Sequence, residues 1–179
     1  MTMSDVELAR RARDGEREAF GLLLERHYDL VYRVARRFAG NAADAEDIAQ
    51  DVCVGLAGKL KSFRGEARFT TWLYRVALNA CRDHLRRRTS LASLGAAFVE
   101  VRALAEAEQR DTAGRKRWLY EALGALDEAL RETALLVVAE DLSHAEAGAI
   151  LGIKEATVSW RMHQVRKKLR SLKDGCHDG

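Results

Sequence analysis

The sequence predicts an all-α protein: two small helical domains joined by a flexible linker, the second of them a helix-turn-helix domain. Three observations carry that expectation. The 179 residues include no proline and only 13 glycines, so long helices are permitted almost everywhere. Apolar residues recur at helical spacing through most of the chain. The exception is the stretch 90–115, rich in Ala, Ser, Gly and Glu and poor in large apolar residues, which reads as a linker. The domains are therefore placed at 1–90 and 116–179 with 91–115 between them, and each is small enough to depend on a tight core.

Residues 5–13 form a short helix stopped by Asp14-Gly15. A long helix begins at Glu16, with Phe20, Leu23, Leu24, Tyr28, Val31, Val34, Ala35 and Phe38 at helical spacing, and ends at Gly40-Asn41. The next spans about 42–61, with Ile48, Val52, Leu56 and Leu60 along one side. Asp44 and Glu46 lie in its first turns, where negative charge suits a helix N-terminus. Ser62 to Phe69 reads as a loop, unusual in setting two aromatics and two arginines around Gly65. A helix over about 70–89 carries Trp72, Leu73, Val76, Ala77, Ala80 and Leu85 on its apolar side. It ends in Arg86-Arg87-Arg88, a basic run that also suits a helix C-terminus.

The second domain opens with Trp118, Leu119, Ala122, Leu123 and Leu126 at helical spacing, followed by a helix from Leu130 to Glu140 with Ala134, Leu135 and Val138 inward. After a break at 141–143, Ser143-His144-Ala145-Glu146 fits a capping box and starts a helix to Leu151. Gly152-Ile153 makes a tight turn, and a further helix runs from Lys154 through Val158, Met162, Val165 and Leu169. Two short helices around a glycine turn, with Ile and Val behind it, are the physical minimum of a helix-turn-helix. The second helix is the one expected in a DNA major groove. On its polar side Arg can grip guanine and Gln adenine, while Lys167, Lys168 and Arg170 suit phosphate. Two roles are open to Trp160: a wedge on the groove side, or packing against the preceding helix.

Formal net charge is +3 with a pI near 8.9, but the distribution says more about partners. Residues 161–173 hold Arg161, Arg166, Lys167, Lys168, Arg170 and Lys173 and no acid. Residues 82–88 are basic apart from Asp83, and 44–51 hold Asp44, Glu46, Asp47 and Asp51 with no base. Any one of these runs is equally well a solvated helix face. Cys53, Cys81 and Cys176 form no CxxC pair, so neither a zinc site nor a disulfide framework is indicated, and no cofactor is expected. Cys53 and Cys81 read as core residues; Cys176 lies in a polar tail and could be a free thiol. Early charges at Asp5, Glu7, Arg10 and Arg11 exclude an apolar signal core, and no run approaches the ~18 apolar residues of a membrane span. A cytoplasmic protein without membrane insertion is expected.

Taken in order, these motifs resemble the bacterial RNA polymerase sigma factors of the extracytoplasmic-function (group IV) class of the sigma-70 family. Phe20 to Tyr28 resembles the opening helix of the family's region 2, and 41–51 (Asn-Ala-Ala-Asp-Ala-Glu-Asp-Ile-Ala-Gln-Asp) is similar to its most recognisable signature. Residues 63–79, followed by Asp83 and Arg86-Arg87, resemble the next. Leu142 to Glu146, Leu151-Gly152-Ile153 and Thr157-Val158 resemble region 4. Three motifs in order cover nearly the whole chain.

The resemblance implies a promoter-specificity subunit that is not itself an enzyme, since the polymerase holds the chemistry. It implies that Asp47, Gln50, Asp51 and Leu56 lie on the helix that docks on the β′ clamp helices of core RNA polymerase, with the β flap a further contact. The loop with Phe63, Arg64, Arg68 and Phe69, and the start of the Trp72 helix, would hold a flipped base of the −10 element. Asn79, Asp83, Arg86, Arg87 and Arg88 would support DNA there. Thr157, Ser159, Trp160, Arg161, His163, Gln164, Arg166, Lys167 and Lys168 would meet the −35 element, with Thr157, Ser159, Arg161 and Gln164 as the base readers. The linker would thread toward the RNA exit path, and an anti-sigma factor is implied as a further partner.

Physical chemistry agrees with this division while leaving roles open. Acids on the 42–61 helix would repel DNA but suit a basic protein surface. Rings stack on single-stranded bases and arginines meet phosphate, and an unstacked base needs a pocket. Phe63 and Phe69 can equally close the core beneath their loop, Trp72 suits the core better than a base, and Asn79 could equally satisfy a backbone group. Three positions depart from the family pattern. Gly148 stands where a small Ala is usual, which loosens the helix but relieves crowding. Cys53 replaces a bulkier apolar residue, and Asp127-Glu128 stands where a proline is frequent.

Two other functions fit parts of the sequence. A stand-alone helix-turn-helix regulator would bind duplex DNA but needs neither the acidic helix nor the 62–69 loop. An enzyme could use Asp44, Glu46, Asp47 and Asp51 on a divalent cation, but the acids sit unevenly around the helix. No histidine joins them in the sequence pattern, and no phosphate-cradling glycine loop is present. Replacing Arg161 with alanine should weaken binding to a −35 duplex; an equal loss on a scrambled duplex would reduce Arg161 to a phosphate contact.

Overall fold

A computed structural model of the chain describes residues 3–92 and 126–175. They belong to two compact units divided between residues 94 and 95. Residues 93–115 of the expected linker, the segment from Trp118 to Leu123 and Cys176 lie outside the described residues.

Side chains mark where the helices of the first unit begin. The Ser4 hydroxyl accepts from the Glu7 N–H at 3.3 Å to cap α1 (Asp5–Arg13). α2 (Arg17–Ala39) stops at Gly40, whose φ of 80° is left-handed and suits glycine. Asn41 then caps α3 (Ala42–Lys59), its side-chain oxygen accepting from the Asp44 N–H at 2.9 Å. A single 3-10 turn, Leu60–Ser62, leads into a coil at 63–68, after which α4 (Phe69–Ala92) runs past the expected boundary at 90.

α2 packs against α1, α3 and α4. Leu8, Leu23, Ile48, Val52, Leu60, Leu73 and Cys81 are fully buried between these helices. Burying one such aliphatic side chain stabilises by roughly 1.5–3 kcal/mol, so a few rows of them suffice for a small unit. One position on α2 differs from the sequence expectation. Tyr28 is exposed, and its neighbour His27 takes the buried place. His27 lies four residues from both Leu23 and Val31, on the same stripe, and its Nε2 is 3.0 Å from Asp5 Oδ2 on α1. The carboxylate is a close neighbour of the buried ring, but the contact lacks hydrogen-bond geometry. Cys53 is only half-buried, and burial pushes its thiol up from the ordinary value.

The second unit holds α5 (Glu128–Ala134), a wide π turn (Leu135–Ala139), α6 (His144–Leu151) and α7 (Glu155–Gly175). Asp127 caps α5 by accepting from the Leu130 N–H at 3.0 Å, so an acid in place of proline still starts the helix cleanly. Leu126, Leu130, Ala134 and Val165 form a buried cluster, with Leu169 packed against it. The expected inward position of Val138 is incorrect: this side chain is 68% exposed. The cause is the π turn, in which the Glu140 N–H reaches back to Leu135 O at 3.0 Å and the extra residue rotates Val138 out of register.

The capping box at Ser143 forms as expected, with the Glu146 carboxylate accepting from the Ser143 N–H at 3.0 Å. α6 ends at Gly152, left-handed at φ 70°. The chain then folds back so closely that a Cβ at Gly148 would lie 2.8 Å from the Ile153 carbonyl oxygen. The Ile153 N–H donates to Gly148 O at 3.0 Å, which holds the turn at that separation. Glycine at this position therefore permits the turn. Gly148→Ala should destabilise the second unit by about 1–3 kcal/mol, because the obstructing atom is backbone and outweighs the helix propensity gained. Urea unfolding of the full chain followed by circular dichroism would measure this, and an unchanged or raised midpoint would contradict it.

Candidate nucleic-acid interface

The coil at 63–68 is bracketed by two buried rings. Phe63 is 8% exposed and Phe69 3%. They meet edge to face at 5.4 Å between centroids, Trp72 lies 5.4 Å from each, and His27 lies 5.1 Å from Phe69. Each such pair contributes ~0.5–1.5 kcal/mol beyond its buried area. Of the two roles open to Phe63 and Phe69, these rings take the core-closing one. Packed against each other and against Trp72, both rings are largely enclosed in this conformation. Their burial projects the loop between them, where Arg64, Glu66 and Arg68 are exposed around Gly65 at φ 74°. Glu66 is an acid between the two arginines that composition alone did not single out.

On α3, Asp47, Gln50 and Asp51 are exposed along one side. Leu56 is not among them. It is 3% exposed and belongs to the inner stripe of Ile48 and Val52. The exposed line continues instead through Val54, 85% exposed and one turn beyond Gln50 and Asp51. Sequence reasoning missed Val54, although its position off the Ile48–Val52–Leu56 stripe was a usable signal.

The basic end of α4 lies beside these acids. Arg87 Nη2 is 3.3 Å from Asp51 Oδ2, with both side chains mostly exposed, a geometry that contributes only ~0–1 kcal/mol. Asp44 is held more firmly. Asn41 Nδ2 donates to it at 2.7 Å, His84 Nε2 lies 3.3 Å away, and the Arg88 guanidinium pairs with it. Burial by itself would raise the Asp44 carboxyl, but the Asn41 hydrogen bond and the Arg88 and His84 charges hold it below its ordinary value. Arg88 is thus tied into the α3–α4 contact. A histidine does join one of the acids, against expectation. Among the described residues, however, no group of three side chains is arranged to hold a metal ion. Asn79 and Asp83 are exposed; Asn79 Oδ1 accepts from Arg82 at 2.8 Å, and Asp83 lies 3.9 Å from exposed Arg86.

In α7 the buried side chains Val158, Met162 and Val165 settle which side faces out. At about 100° per residue, the opposite line runs through Ala156, Trp160, His163 and Lys167, all exposed. Trp160 is 60% exposed on this outward line. Thr157, Arg161 and Gln164 are half-buried on the flank. Ser159 Oγ lies 2.8 Å from His144 Nδ1, which joins the start of α6 to α7. Arg166 and Lys168 are exposed, with Lys168 Nζ 3.2 Å from Asp127 Oδ2. No described helix is long and apolar enough to cross a membrane.

Comparison with known proteins matches both units. The model of sigma-70 region 2 matches residues 23–91, and that of sigma-70 region 4 matches 116–169. RNA polymerase sigma factor NccH of Alcaligenes xylosoxydans xylosoxydans is 33% identical over 174 residues, 94% of each chain. ECF RNA polymerase sigma factor SigM of Mycobacterium tuberculosis is 33% identical over 170 residues, 94% of this chain and 84% of that protein. The structure of CnrH in complex with the cytosolic domain of CnrY is similar at a TM-score of 0.70 and 31% identity, covering 98% of this chain and 99% of that one; CnrH is an RNA polymerase sigma factor of Cupriavidus metallidurans.

The lowered Asp44 carboxyl makes a signed prediction. A depressed acid contributes stability above its unfolded value, and that contribution is lost as pH falls through the folded value. Asp44→Asn should therefore weaken the first unit at neutral pH and flatten the loss of stability between about pH 5 and pH 2. Parallel pH profiles for wild type and variant in thermal unfolding would contradict it.

Proposed function

The chain belongs to the extracytoplasmic-function (group IV) class of the sigma-70 family and directs RNA polymerase to promoters without being an enzyme itself; we propose that it does so through two surfaces of opposite charge, one on each unit. The exposed side of α3, Asp47, Gln50 and Asp51 with Val54 at its end, docks on the β′ clamp helices of core polymerase. Acids around an apolar residue suit a basic protein surface and repel DNA. Arg64 and Arg68 on the projecting loop, with Asn79, Arg86 and Arg87 on α4, take the backbone and bases of the −10 element. In the second unit α7 enters the major groove at the −35 element, its Arg166, Lys167 and Lys168 meeting phosphate, and the β flap is its polymerase contact. The observation that carries this reading is the difference between the two outward faces: α3 presents acids, whereas α7 has no acid from Ala156 to Lys173.

The domain limits that go with this function are 1–90 for polymerase and −10 contacts and 116–179 for the −35 contact, with 91–115 as connection. We further infer a protein antagonist, an anti-sigma factor that covers these surfaces. CnrH, similar over almost the whole of both chains, is solved with the cytosolic domain of CnrY bound. The cytoplasm, where polymerase and promoter meet, is the proposed compartment.

Run-off transcription with core polymerase on a promoter library tests the reading directly: a defined −35 and −10 preference is expected. Failure of the purified chain to retain core polymerase would favour a stand-alone regulator. Asp47→Lys combined with Asp51→Lys should lower core affinity by about tenfold or more, the equivalent of one lost charge-pair contact, while leaving −35 duplex binding unchanged.

A further inference from the structure

We propose that Trp160 selects a base pair by its methyl group: the exposed indole, with the Ala156 methyl beside it, reads the C5-methyl of a thymine in the −35 element. The assignment rests on the reading of α7 as the −35 helix and says what kind of base feature its centre recognises.

Trp160 is 60% exposed, directly opposite the buried line Val158, Met162 and Val165. Ala156, one turn earlier on the same outward line, is exposed and too small to shield the indole. The line becomes polar and basic only further on, at His163 and Lys167. The outward face of α7 is therefore apolar in its N-terminal half, the part of a recognition helix that meets base edges, and basic where the helix leaves them.

The polar side chains expected to read bases are displaced from that centre. Ser159 is engaged with His144, and Thr157, Arg161 and Gln164 are half-buried on the flank. An apolar group at the groove floor discriminates by the one apolar feature exposed there, the thymine methyl, which cytosine lacks. The indole N–H is a donor only, so it tolerates an acceptor beside the methyl and disfavours the cytosine amino group. The surroundings fit a polyanion: Arg166, Lys167 and Arg170 are exposed on the same helix, and no acid interrupts Ala156 to Lys173.

The test uses the chain reconstituted with core polymerase and the −35 sequence that the library selects. Each thymine of the −35 duplex is replaced in turn by deoxyuridine, which keeps the pairing and removes only the methyl. One replacement should weaken wild-type binding by about fourfold, the factor of one buried methyl group. Trp160→Ala should bind the thymine duplex more weakly by at least that factor and no longer distinguish thymine from uracil at that position. It should still discriminate base changes elsewhere in the element, which shows that the unit is folded. Wild-type indifference to every deoxyuridine, with the −35 preference intact, would overturn this assignment alone. So would a Trp160→Ala variant that loses affinity but keeps the thymine-to-uracil ratio, as a wedge between base pairs would, or one unaltered on DNA and weakened only toward a protein partner. A chain with no −35 preference at all would overturn both this assignment and the reading beneath it.

Discussion

Phe63 and Phe69 stand at the two ends of one short coil, and both rings turn inward to meet each other, Trp72 and His27. The first unit is organised around that contact. It joins the end of the 3-10 turn to the start of α4, and through His27 it reaches α2 and the Asp5 carboxylate of α1. The coil between the rings carries Arg64 and Arg68 exposed, with Gly65 lying close to Val6 of α1. The two enclosed rings fix the ends of the coil that carries Arg64 and Arg68.

Charge follows a similar division between internal and external use. α3 and the end of α4 carry opposite signs side by side. Asp44 and Arg88 satisfy each other, with Asn41 and His84 completing the contact. Outside that contact Asp47 is exposed on α3, while Asp51 and Arg87 are joined by a weak, exposed pair. In the second unit the capping box of α6 and the close return at Gly148 set the start of α7 against α6. The buried Val158–Met162–Val165 line then turns Trp160 outward. The two units thus present an acidic and a basic face by the same means, a buried apolar stripe that decides which charges are left outside.

Much of this was legible in the sequence because it is local. Helix periodicity, the Ser143–Glu146 box, the Gly40 and Gly152 stops and the acid-poor run of α7 depend on residues within a turn or two of each other. The readings that failed share a different cause. Val138 was assigned by extending a regular helix across a π turn whose extra residue nothing in the local pattern announces. Tyr28 gave way to His27, whose buried ring packs against Phe69 and lies beside Asp5, residues distant in the chain.

The sequence by itself determined the fold class, the order and limits of most helices, the glycine turn and the family, since each rests on spacing along one chain. Only the tertiary structure decided which members of the charged and aromatic runs are available. Arg88 is tied to Asp44, Phe63 and Phe69 are enclosed, and Val54 and Trp160 are left outside. Availability depends on what packs against a side chain from a distant part of the chain. A run of like residues looks uniform until that packing divides it.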